Sequence, residues 1–265
     1  MLFGNKELIF DKPLVMGIIN ITTDSFSDGG KFISNNLTSE FDLRKIIKEI
    51  NFLEKSGASF IDIGAESTRP GYSPISTQEE LDRLIPVLEL ISETKSIISI
   101  DTRKPEVMKE VLKFPIGLIN DVSGLTSISG RKLVKNHNVP ICVMHNSRDR
   151  TKSLEEDLDS FFKAQINQLT VFGIKEQNII LDPGFGYDKS LEENKKLLFD
   201  FDYSQYKNKV LIGLSRKGFL KKLFNEAKIE DIDEKSAIAS IIAAENGANI
   251  LRVHNVAKLS NKLEN

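Results

Sequence analysis

The sequence has no tryptophan, one cysteine, eight prolines and three histidines among its 265 residues. A single cysteine excludes a disulfide framework and a thiolate metal cage, so Cys142, set in the apolar run 141–144, is read as a small buried hydrophobe. No apolar run approaches the roughly 18 to 20 residues that span a bilayer, and Lys6 and Glu7 interrupt the start of the chain before a signal-type core can form. A cytoplasmic protein with no membrane partner is expected. Excess charge of either sign is also missing: 36 Lys and Arg against 38 Asp and Glu leave a net charge of −2, which excludes a nucleic-acid grip through bulk charge. With 40% hydrophobic and 28% charged residues the chain can bury a substantial core. No linker, low-complexity tract or repeat divides it, so one domain over 1–265 is expected.

Eight short runs rich in Ile and Val are present, at 14–19, 59–63, 97–100, 116–119, 140–144, 178–181, 210–214 and 249–253. Continuous apolar strands of this kind are buried on both faces, as in parallel sheets covered by helices. The gaps carry helical patterns with start and stop signals. Thr77 with Glu80, Ser153 with Glu156 and Ser190 with Glu193 fit capping boxes, Gly57, Gly173 and Gly247 fit closing residues, and Asp233 is read as a further cap. Eight β-then-α units in this length predict an α/β fold, a single (β/α)8 TIM barrel with its active site at the C-terminal ends of the strands. After the runs come Asn20, Gly64 with Glu66, Asp101, Asn120 with Asp121, His145, Asp182, Ser215 with Lys217, and His254. A doubly wound open sheet would not need polar groups at all eight exits.

The segments at these exits are specific. They are Met16-Gly-Ile-Ile-Asn-Ile-Thr-Thr-Asp-Ser-Phe-Ser-Asp-Gly-Gly30, Asp62-Ile-Gly-Ala-Glu-Ser-Thr-Arg-Pro-Gly71, Ser99-Ile-Asp-Thr102, Ile119-Asn-Asp121, Leu181-Asp-Pro-Gly-Phe-Gly186, Ser215-Arg-Lys217 and Arg252-Val-His254. In order and together, they resemble the dihydropteroate synthases over almost the whole chain. The resemblance implies condensation of p-aminobenzoate with 6-hydroxymethyl-7,8-dihydropterin pyrophosphate, giving 7,8-dihydropteroate and pyrophosphate, in a homodimer that sulfonamides inhibit.

Three subsites follow. A flat ring with donors and acceptors on its edges needs a carboxylate and an amide in a deep pocket. The resemblance assigns Asp182 and Asn120 to it, with Asp101, Lys217, Met144 and the stacking guanidinium of Arg252. A pyrophosphate calls for a planar fork, a ring N–H and Mg²⁺. Arg252 and His254 lie two apart on a strand and point to one side. Asn20 is the expected Mg²⁺ ligand, and Thr68 and Arg69 reach the leaving phosphate. The amine subsite falls to two strand-exit loops, 22–32 and 65–73, where Phe26 and Pro70 sandwich the aminobenzoate ring beside Lys217 and Gly218. Catalysis is expected to be electrostatic, by Asp101, Lys217, Arg252, His254 and Asp28, with ionisation preceding amine attack.

The chain also departs from the family pattern. Thr23 stands where Pro is usual, Gly218 where Ser is frequent, Asn255 where Asp follows the histidine, and Tyr187-Asp188-Lys189 where Phe-Gly-Lys is usual. The glycine predicts weaker binding of p-aminobenzoate and sulfonamides, Asn255 a change in how His254 is oriented, and Asp188 a carboxylate at the pocket rim. Two other readings are a pterin-dependent methyltransferase domain, opposed by the 66–71 loop and the Ser215-Arg-Lys217 motif, and a non-catalytic pterin-binding paralogue. The stretch 236–244 is small-faced, which suits either dimer packing or burial against its own barrel.

Overall fold

The computed structural model describes residues 1–22, 32, 41–67, 73–91, 94–224 and 229–264, and within them all eight apolar runs become strands of one closed parallel barrel. A hairpin of β1 (Leu2–Phe3) and β2 (Lys6–Glu7) precedes β3 (Leu14–Asn20). The barrel continues with α1 (Leu43–Lys55), β4 (Phe60–Gly64), α2 (Thr77–Leu90), β5 (Ile97–Asp101), α3 (Pro105–Val111), β6 (Leu118–Asp121) and α4 (Ile128–His137). It closes with β7 (Ile141–Met144), α5 (Leu154–Phe172), β8 (Ile179–Asp182), α6 (Leu191–Phe199), β9 (Lys209–Ile212), α7 (Gly218–Phe224), α8 (Ile229–Glu245), β10 (Ile250–Val253) and α9 (Val256–Leu263). Strand β10 pairs with both β9 and β3.

Strands β3, β5 and β8 run one residue beyond the apolar pattern, because Asn20, Asp101 and Asp182 keep the pairing at the rim: Asn20 opposes Gly64, Gly64 opposes Asp101, Asp101 opposes Asn120, and Met144 opposes Asp182.

Alternation along each strand divides the barrel interior in two. The lower inward positions are apolar: Leu14, Met16, Phe60, Ile97, Leu118, Cys142, Ile180, Leu211 and Ile250 form one buried cluster with Phe3 of the hairpin. The Phe3 ring meets Phe60 edge-on at 4.9 Å, plugging the amino-terminal end. Two residues further along the same faces stand Asp62, Ser99, Asn120, Met144, Asp182 and Arg252. The change from apolar to polar at mid-height is the floor of the site.

The helices bury one stripe each, as in α1, where Ile46, Ile50 and Leu53 face the barrel. Capping boxes form at Ser153 with Glu156 and at Ser190 with Glu193, as expected. The start of α2 differs: Ser76 is the cap and Glu79 its partner, one residue before the expected pair. Glu80 instead turns inward to the Lys104 ammonium. Asp233 is not a cap either. It lies inside α8 and takes a two-pronged bond from Arg216, at 2.6 Å and 2.9 Å. Gly57, Gly173 and Gly247 close helices with φ near 100°.

Candidate active site

A cavity of about 580 Å³ opens at the carboxyl ends of the strands, within the range of small-molecule sites. Asn20, Glu66, Asp101, Phe185, Tyr187, Lys189, Ser215, Lys217, Gly218, Arg252 and His254 line it.

Its floor is organised around Asp62, a fully buried carboxylate. Asp62 accepts from Ser99 Oγ, from Asn120 Nδ2 at 3.0 Å and from Arg252 Nε at 2.6 Å. Arg252 also donates through Nη2 to Asp101 Oδ2 at 3.1 Å. The guanidinium is thereby held in one plane, and its charge is kept against burial by Asp62 and Asp101. Asp101 has its other oxygen, Oδ1, buried with no partner among the described residues, an acceptor awaiting a donor. Burial, reinforced by the neighbouring Asp62 charge and opposed by Arg252, pushes the Asp101 carboxyl up to about 7. Burial also raises Asp182, with Lys217 opposing it, and Asp182 Oδ1 accepts from Gly184 N at 2.7 Å.

Asp62 has no role in the sequence reading, although it lies within a matched segment. Its signal was available: an acid at the inward parity of an apolar strand, between Phe60 and Gly64.

The wall after β8 is held from behind. Lys189 Nζ bonds to His145 Nδ1 at 3.0 Å and to the carbonyls of His145, Gly184 and Tyr187 at 3.1 to 3.2 Å. Because the ammonium only donates and Asp157 only accepts, His145 must be neutral, with its proton on Nε2 shared with Asp157 at 3.0 Å. Burial and the Lys189 charge lower His145 to about 4, and burial lowers Lys189 to about 8. His145 thus serves the wall, although it stands at a strand exit. Gly184 fits there because a Cβ would come within 2.0 Å of the His145 carbonyl oxygen, and its φ of +68° lies in the left-handed region that favours glycine. Met144 is buried next to it and is not among the residues that line the cavity.

At the rim, Lys217 donates to the Phe185 carbonyl and stands 4.6 Å from the Tyr187 ring centre. Phe185 in turn stacks on Phe219 at 5.7 Å. His254 takes its orientation from Ser215, whose Oγ accepts the His254 N–H at 3.2 Å and lies 2.9 Å from Nδ1. Asn255 does not orient it; it caps α9 and touches Asp233. The Asp188 carboxylate is also not at the cavity. It pairs with Arg150 at 2.8 Å and accepts the Arg148 N–H at 2.7 Å, tying two loops together. Asp121 spends both oxygens on the N–H groups of Ser123 and Leu125.

The structure therefore brings Asn20, Asp101, Asn120, Met144, Asp182, Lys217, Gly218, Arg252 and His254 to one end of the barrel. Thr23, Phe26, Asp28, Thr68, Arg69 and Pro70 lie outside the described residues.

A barrel with an acceptor-rich floor and a cationic rim defines an enzyme site for a polar ring carrying an anionic group. The chain belongs to the pterin binding enzyme family, whose model matches residues 16–254. Among its relatives is the dihydropteroate synthase of Escherichia coli K12, 37% identical over 261 residues that cover 94% of this chain and 89% of that one. Solved structures agree. Dihydropteroate synthase of Xanthomonas albilineans with 4-aminobenzoic acid matches at TM-score 0.87 and 36% identity, over 97% of this chain and 93% of that one. The same enzyme with 7,8-dihydropteroate matches at 0.84 and 34%, with the same coverage. The Yersinia pestis dihydropteroate synthase with a sulfonamide drug matches at 0.89 and 33%, over 99% and 96%. Within its family the chain groups with these synthases, which are transferases.

Proposed function

We propose that the chain condenses 6-hydroxymethyl-7,8-dihydropterin pyrophosphate with p-aminobenzoate. The observation that carries this reading is one cavity lined by the Asp101 carboxylate together with Lys217, Arg252 and His254, with the buried Asp182 carboxylate on the inward face of the neighbouring strands. The carboxylates suit a ring rich in N–H donors, and the Lys217 and Arg252 cations with the His254 ring suit a phosphate chain.

The C–O bond of the pterin methylene breaks with both electrons leaving on pyrophosphate. The resulting cation is spread over the dihydropterin, and the amine nitrogen of p-aminobenzoate then attacks the methylene and loses a proton. Arg252 and His254 stabilise the departing charge. The ionised Asp101 offsets the cation from below, in a cavity where fixed charges act more strongly than in water. No covalent nucleophile is required.

Asn20 offers one neutral oxygen at the rim, and among the described residues no group of three or more His, Cys, Asp or Glu could cage an ion. That donor set fits Mg²⁺, which keeps waters and is carried largely by phosphate oxygens. When bound, Mg²⁺ supplies charge neutralisation to the pyrophosphate. Thr68, Arg69, Asp28, Phe26 and Pro70 are proposed for the loops over the cavity, and sulfonamides for the p-aminobenzoate place.

The test is pyrophosphate release with and without p-aminobenzoate, alongside chromatography of dihydropteroate. Product requiring both substrates is expected. Tight pterin binding without product would replace the enzyme reading with a non-catalytic paralogue.

A cytoplasmic location is proposed, supported by the one buried thiol, and among the described residues no helix is long and apolar enough to cross a membrane. A homodimer is proposed on the family resemblance. The small residues of α8 do not supply its interface, since Ser236, Ala237, Ala239, Ser240 and Ala243 are buried within the chain itself. Light scattering at micromolar protein is expected to give twice the chain mass, and a monomer would overturn the proposal.

A further inference from the structure

Two residues of α7, Gly218 and Lys222, both line the cavity and stand one helical turn apart on the same face. Residues four apart on a helix share a face, so Lys222 borders the same part of the cavity as Gly218. That position is bare: a Cβ built on Gly218 would have no atom within 4 Å. The other cations of the rim and wall are engaged. Arg252 is held by Asp62 and Asp101, Lys217 by the Phe185 carbonyl and the Tyr187 ring, Arg216 by Asp233, and Lys189 by His145 and three carbonyls. Lys222 is exposed and has no ion-pair or hydrogen-bond partner among the described residues. Beside it Phe185 and Phe219, stacked on one another and buried, form an apolar border of the cavity.

We propose that Lys222 reads the carboxylate of p-aminobenzoate, filling with a mobile ammonium the place that Gly218 leaves without a side-chain donor. The inference rests on the synthase reading above. It makes α7 selective for an anionic substituent opposite the amine, through charge rather than through a fixed hydroxyl. A long exposed cation contributes modestly, is screened by salt, and rejects a neutral analogue only to that extent.

The experiment compares wild type, Lys222→Gln, Lys222→Arg and Gly218→Ser with p-aminobenzoate and with its neutral carboxamide. Steady-state kinetics is paired with calorimetric binding of each compound to protein saturated with pyrophosphate and Mg²⁺. Lys222→Gln is expected to raise KM and Kd for p-aminobenzoate about three- to tenfold, to leave the carboxamide unchanged and to weaken the salt dependence. Lys222→Arg should restore wild-type values, and Gly218→Ser in the Lys222→Gln background should recover part of the loss. Equal losses for acid and carboxamide, or no loss for the acid, would overturn the proposal. Absence of dihydropteroate with wild-type protein would instead overturn the synthase reading, and the binding data would still decide the role of Lys222.

Discussion

Arg252 Nε donates to Asp62 Oδ2 at 2.6 Å, joining the last strand of the barrel to a strand 190 positions earlier. Asp62 is fully buried and holds Ser99 and Asn120 as well, so one carboxylate sets both the cation and the amide of the cavity floor. Asp62→Asn removes the charge and turns a donor towards donors. A loss of about 3–5 kcal/mol in stability is expected, together with a fall on the order of 10² in kcat/KM for the pterin substrate. Urea denaturation and initial rates measure the two effects, and an unchanged denaturation midpoint would remove Asp62 from this role.

Asp101 offsets the pterin cation only when ionised, and its carboxyl lies near 7 in the folded protein through burial and the Asp62 charge. The rate should therefore rise with pH through about 7 and level off above it. Asp101→Asn is expected to flatten that limb and to lower the rate on the order of 10². A pH–rate profile checks both, and a limb that survives the substitution belongs to another group.

Stability should respond to pH through two buried groups of opposite sign. Asp101, raised from 3.8 to about 7, binds a proton in the folded state that the unfolded chain releases, so its contribution falls as pH rises between those values. His145, lowered from 6.5 to about 4, stays neutral when folded, so its contribution is present above 6.5 and is lost as pH falls towards 4. The two slopes oppose each other over pH 4–6.5. Asp101→Asn should steepen the gain in stability with rising pH in that window, and His145→Gln should make it flat or negative. Urea midpoints at half-unit intervals measure this, and identical slopes in all three proteins would contradict it.

Lys104 bridges two carboxylates at the return of the second strand-exit loop, 2.9 Å from Glu66 and 2.7 Å from the fully buried Glu80, and also donates to the Ile75 carbonyl. Glu66, which lines the cavity, accepts from the Ile75 N–H at 3.0 Å. Lys104→Met leaves the fully buried Glu80 without its ion-pair partner and Glu66 with Arg103 alone, and a loss of about 3–5 kcal/mol is expected at pH 7. Burial raises the Glu66 carboxyl, but its bonds to Lys104 and Arg103 outweigh this and hold it below its ordinary value, so the loss should shrink as pH falls through the carboxylate range. KM for p-aminobenzoate should rise as the loop return loosens, and a stability loss independent of pH would point to packing instead.

The eight strands were legible because continuous Ile and Val runs bounded by turn residues reflect burial on both faces, which is a local property of the chain. Asn20, Asp101, Asp182 and His254 were legible for the same reason, since each stands where such a run ends. Partner choice was not. The expected cap at Thr77 and Glu80 shifted to Ser76 and Glu79 because Glu80 was claimed by Lys104, 24 positions away. The expected rim carboxylate of Asp188 turned to Arg150 for the same kind of reason. By itself the sequence determined the barrel, the end that carries the chemistry and the family, through periodicity and ordered motifs. Only the tertiary structure decided that Asp62 governs Arg252, that Ser215 orients His254, and that Lys222 is left unengaged beside a bare Gly218. Those pairings depend on which side chains meet when the barrel closes, and closure brings together residues that no local pattern relates.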